Sequence, residues 1–167
     1  MKGQTIVEVM VALGAGAIIL AAMSVIILNS LKNSTQSSQQ GKAVDFAQEG
    51  LEIARQMKNN DWGTFSTLSG SYCVASSCTA ISTSGSTCGP KSSSCPVNID
   101  NTYVREVTVT QNYSDCQPQT PVSGVTYSKV VSTVSWNDTS CKDSSNVYCH
   151  SARLETCLSN FGGRPAP

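Results

Sequence analysis

The alternation of apolar and polar positions changes rhythm three times along this chain. Residues 9–31 contain no charge over 23 positions. An α-helix rising about 1.5 Å per residue crosses the ~30 Å hydrocarbon core of a bilayer in that length. A cleaved secretory signal has a shorter apolar core, about 7–15 residues, so the run predicts a retained membrane helix. Residues 33–40 turn polar and rich in Ser and Gln, and predict a loosened stretch where the helix leaves the bilayer. Helical periodicity then resumes. Val44, Ala47, Leu51 and Ala54 form one stripe, with Phe46, Gly50, Ile53 and Met57 beside it and Glu49 and Glu52 opposite. Asn59-Asn60-Asp61 ends the pattern, and all six prolines fall at Pro90 or later, so none kinks this helix.

The rhythm after Trp62 is that of loops and strands. Half of residues 64–95 are Ser or Thr, too polar to bury a core alone, and the segment reads as a disulfide-pinned loop region with a short strand near Tyr72-Cys73-Val74. Three strands follow. Residues 103–113 carry Val104, Val107 and Val109; residues 125–136 place Val130, Val134 and Trp136 on one face; residues 151–159 carry Leu154 and Leu158 at even spacing. Pro118, Pro121 and the polar stretch 138–145 serve as connections. The expected fold is α+β: a long N-terminal helix, half membrane-embedded and half amphipathic, packed on a small antiparallel sheet.

Composition adds the staples. Ser and Thr number 41, and the eight cysteines, Cys73, Cys78, Cys88, Cys95, Cys116, Cys141, Cys149 and Cys157, all lie beyond the apolar run. An even count in an exported domain predicts disulfides in an oxidising compartment, with a connectivity that spacing does not reveal. Metal binding is the weaker reading: there is one histidine, His150, no Cys-x-x-Cys, and no zinc-finger spacing. No metal or cofactor is expected. Cys149-His150 suggests a thiol enzyme, with Asp115, Asp138 or Asp143 as an orienting group. Strand neighbours point to opposite faces and a half-cystine is no nucleophile, so no catalysis is expected. The net charge is zero and no basic stripe exists, which argues against direct nucleic-acid binding. The sequons at Asn33, Asn112 and Asn137 read as accidents of a Ser/Thr-rich chain.

One charge breaks the rule of the N-terminal segment. Glu8 stands at the lip of the apolar run, where a carboxylate costs roughly 2.5–3.5 kcal/mol at mid-bilayer on insertion scales. A cut after Gly3 makes Glu8 the fifth residue of the mature chain. Lys2-Gly3, followed by Gln4-Thr5-Ile6-Val7-Glu8-Val9-Met10-Val11-Ala12-Leu13, resembles the N-terminus of type IV prepilins and pseudopilins. Residues 47–55 followed by Trp62 resemble the second half of the N-terminal helix of minor pilins, as residues 130–136 resemble minor-pilin strands. The small residues Ala12 with Gly16 and Ala17 with Ala21 share helix faces and permit close helix approach. The chain departs from the family in its three-residue leader and in Gln4, where phenylalanine is usual.

The resemblance implies an organisation and a route. Residues 1–3 are a leader, 4–31 a transmembrane and filament-core helix, 32–62 its amphipathic half, and 63–167 an exported disulfide-rich α+β domain. The subunit sits in the cytoplasmic membrane, single-pass, with its C-terminal domain outside. A prepilin peptidase cuts after Gly3 and methylates the amine of Gln4, and a membrane assembly platform passes the subunit into a surface filament of other pilin subunits. Glu8 is the expected assembly residue. Two alternatives stand beside the pilus subunit: a pseudopilin of a type II secretion or DNA-uptake machine, and a signal-anchored surface adhesin.

Overall fold

A computed structural model describes residues 4–96, 99–118, 120, 122–138, 141 and 148–160, with side chains from residue 6 onward. The elements are α1 (Gln4–Asn60), α2 (Trp62–Ser66), β1 (Gly70–Cys73), β2 (Tyr103–Gln111), a 3-10 turn at Ser114–Cys116, β3 (Tyr127–Trp136) and β4 (His150–Ser159). The chain divides into two compact units, one ending at Gln39 and the other beginning at Gln40.

The N-terminal unit is helix alone. From Ile6 to Leu31 every large apolar side chain is between 55% and 72% exposed. Two hydroxyls on this surface are satisfied within the helix: Ser24 Oγ donates to the Leu20 carbonyl and Thr35 Oγ1 to the Leu31 carbonyl, each at 2.9 Å. That back-bonding is what an apolar solvent demands of a polar side chain. Residues 33–40 are helical throughout rather than loosened. Their Ser and Gln residues carry no proline or β-branched run strong enough to stop a helix already propagating on both sides.

In the second unit, four antiparallel strands lie in the order β1-β2-β3-β4. Val109 pairs with Val130 and Val134 with Ala152, so the alternation of β3 puts Ser128, Val130, Ser132, Val134 and Trp136 on one buried face. The α1 stripe meets that face. Leu51, Ile53 and Ala54 join Val107, Val109, Val130 and Leu158, while Ala43 and Ala47 join Tyr103, Val134, Trp136 and Ala152. Val104, on the other face of β2, packs with Cys73 and Cys95.

The α+β expectation therefore holds, with a helix on an antiparallel sheet and all eight cysteines paired: Cys73–Cys95, Cys78–Cys88, Cys116–Cys157 and Cys141–Cys149. The sheet has four strands, the short strand near Tyr72 being β1. The loop region 64–95 also contributes to the core, since Phe65, Leu68, Val74, Ala75, Cys78 and Ile81 are buried. Few apolar residues suffice there because disulfides and backbone bonds, such as Cys73 N–H to the Gly89 carbonyl at 2.8 Å, hold them against α1 and β2.

Candidate assembly site and the Arg105 lock

Glu8 lies in the second turn of α1 and its side chain is exposed, as are Val7 and Val9 beside it. It is the one charged residue between the helix start and Lys32. Gly3 lies outside the described residues, and Gln4 opens the helix. The N-terminal unit thus offers an apolar cylinder with one carboxylate near its end. Gly14 and Gly16 have nothing within 4 Å of the position a Cβ would take, so their faces are open to another backbone.

The second unit holds α1 to its sheet by a residue whose role the pattern of its strand conceals. Arg105 on β2 is fully buried. Its Nε donates to the Val74 carbonyl and its Nη2 to the Ala75 carbonyl, both at 3.0 Å. Nη1 donates to the Phe46 carbonyl of α1 at 3.0 Å and to Glu49 Oε2 at 2.6 Å. A guanidinium's rigid fork suits this arrangement, because one planar group reaches the helix and the loop after β1 at once. Glu49 therefore does not lie opposite the apolar stripe as its spacing implies; it sits at the stripe's border and is 48% exposed. The one signal in the sequence is phase: Arg105, Val107 and Val109 share a strand face. Glu52 does lie on the outer side, 3.5 Å from exposed Arg55.

Gly50 sits directly over this lock. A Cβ there would lie 2.5 Å from Ser132 Oγ and 3.1 Å from Arg105 Cδ, so only glycine allows α1 to approach the sheet this closely. Ser132 Oγ is buried without a hydrogen-bond partner among the described residues. At the end of α1, Thr64 donates to the Asp61 carboxylate and holds it below its ordinary pKa, with Thr64 and Gly63 backbone bonds assisting. Burial, and secondarily the charge of Asp100, pushes the Tyr103 phenol up. On the opposite sheet face, the hydrogen bond to Glu155 raises Lys129, which also lies 4.9 Å above the Tyr113 ring.

The remaining candidate chemistry gathers at the start of β4. Cys149 precedes the strand instead of lying within it, so the alternation rule does not separate it from His150. Ligand atoms of Asp138, Cys141, Cys149 and His150 all lie within 4.8 Å of one another. His150 Nε2 is 3.2 Å from Asp138 Oδ2, and its ring stacks on Trp136 with centroids 5.4 Å apart. Both thiols are tied in the Cys141–Cys149 disulfide. Asp115 lies in the 3-10 turn, away from this group, and Asp143 falls outside the described residues.

Comparison with known proteins identifies no relative: no protein-family model, curated protein or solved structure matches the chain.

Proposed function

We propose that this chain is a structural subunit of a type IV pilus or a related filament, processed after Gly3 and assembled through its N-terminal helix. The observation that carries the reading is Glu8 on a helical segment, residues 6–31, whose large apolar side chains are all exposed. A surface of that kind needs cover, first from lipid and then from the helices of neighbouring subunits. A plain anchor accounts for the apolar residues and leaves Glu8 without a role.

Once Gly3 is removed, Gln4 carries a free amine that is mostly cationic at neutral pH. In an apolar filament core, that amine and the Glu8 carboxylate are each costly alone and tolerable together. Pairing across subunits fixes axial register, because slippage strands both charges. Removing one member of a buried pair costs about 3–5 kcal/mol. Glu8→Ala is therefore expected to be processed and folded but poorly represented in sheared filaments, with Glu8→Asp intermediate because its carboxylate reaches less far. Wild-type assembly of Glu8→Ala would remove the basis for the proposal.

A further inference from the structure

The Asp138–His150 corner holds more chemistry than a structural staple requires. The Cys141 N–H donates to the Asp138 carbonyl at 3.1 Å. The Asp138 N–H points back at Cys141 Sγ at 3.4 Å, and Asp138 Oδ1 lies 3.9 Å from the same sulfur. Cys149 and His150 close the group from the start of β4, and the Trp136 ring fixes the plane of the imidazole. Two sulfurs, an imidazole and a carboxylate thus converge from two short segments.

We infer that Cys141 and Cys149, when reduced, form with Asp138 and His150 a tetrahedral zinc site, so that the same corner is closed by a disulfide in one redox state and by Zn2+ in the other. Thiolate, imidazole and carboxylate are the donors zinc takes, at about 2.3, 2.0–2.1 and 2.0–2.2 Å. Tetrahedral geometry at those lengths sets donors about 3.3–3.8 Å apart. The four groups, all within 4.8 Å of one another, need small movements to reach it. Zinc then replaces the direct His150–Asp138 contact with one bond to each. The Asp138 N–H already aimed at sulfur supplies the kind of outer hydrogen bond that stabilises a metal-bound thiolate.

The bridge is open to a dithiol from solvent. Cys149 is exposed, as is Cys157 of the Cys116–Cys157 bridge, whereas Cys73, Cys95 and Cys78 are buried. The exchange balances with a dithiol as reductant. Two electrons and two protons pass to the Cys141–Cys149 bond, the dithiol becomes a cyclic disulfide, and zinc binding releases the two thiol protons.

The test is a staged reduction of the detergent-solubilised full chain by a dithiol, which is removed before alkylation and mass spectrometry with and without ZnCl2. Once Cys141 and Cys149 are free, zinc is expected to slow alkylation of both by about 10-fold or more, with no such slowing at Cys116 and Cys157. His150→Ala and Asp138→Asn should each raise the half-protecting zinc concentration by about 10-fold. Asp138→Asn keeps the shape of the corner should His150→Ala disturb it. No slowing by zinc, equal slowing at Cys116 and Cys157, or wild-type protection in both variants would overturn the assignment.

Discussion

Replacing Gly50 by alanine tests the closeness of helix and sheet on which the second unit depends. The added methyl would lie 2.5 Å from Ser132 Oγ, closer than real Cβ atoms tolerate, with Arg105 Cδ at 3.1 Å and Ser132 Cβ at 3.3 Å on the same side. Overpacking of this kind costs about 1–3 kcal/mol, against which alanine gains roughly 1 kcal/mol of helix propensity over glycine. Gly50→Ala alone is thus expected to destabilise by about 0–2 kcal/mol. Ser132→Ala removes a buried hydroxyl without a partner among the described residues, whose desolvation costs ~1–3 kcal/mol, and is expected to be neutral or stabilising. It also removes the 2.5 Å collision. The double variant should then exceed the sum of the singles by about 1–2 kcal/mol. Urea unfolding of the full chain in detergent, followed by tryptophan fluorescence, measures all four corners of the cycle. Additivity within about 0.5 kcal/mol would refute the contact and the close approach with it.

Other expectations follow from the same packing. Arg105→Met keeps the buried stem but leaves the Val74 carbonyl without its donor and frees α1 at Phe46 and Glu49; a loss of about 2–4 kcal/mol is expected in the same unfolding assay, with Glu49→Gln milder because Glu49 is half exposed. The Cys116→Ser, Cys157→Ser pair opens a crosslink spanning 41 residues and should cost about 4 kcal/mol in the chain-entropy model. Full reduction should unfold the sheet domain while far-UV helix signal persists, and several free thiols in the unreduced protein would contradict this. Asp61, held low by Thr64, adds stability that is present above the ordinary carboxylate pKa and lost as pH falls through its depressed folded value; Thr64→Val should move its NMR titration midpoint upward.

The elements legible in the sequence are those in which periodicity and burial agree. The α1 stripe from Val44 to Met57 and the alternation of Val130, Val134 and Trp136 both mark the core face. Arg105 is hidden because an arginine reads as solvated by its chemistry although it is in phase with Val107 and Val109; its burial depends on acceptors from Phe46 and Val74, far away in sequence. The spacing of Glu49 misleads for the same reason, since its partner lies 56 residues on. Cysteine pairing is unreadable because it is decided by which loops the sheet brings together. At the Cys149–His150 corner, β4 begins at His150, so Cys149 lies outside the strand and the alternation rule does not apply to the pair. Glu8 is legible because a carboxylate beside an apolar run stands out by its chemistry alone, with no distant partner needed to place it.

The first residue of the mature chain decides the filament-subunit reading. Intact-mass and N-terminal sequencing of the membrane-extracted protein, produced in cells with a prepilin peptidase, should give Gln4 as that residue, carrying one added methyl. Gly3→Val should abolish the cut and leave a membrane-bound precursor, because a side chain there obstructs close approach to the backbone. A wild-type protein that retains Met1, or a Gly3→Val protein that is cut and assembled normally, would contradict the filament-subunit reading.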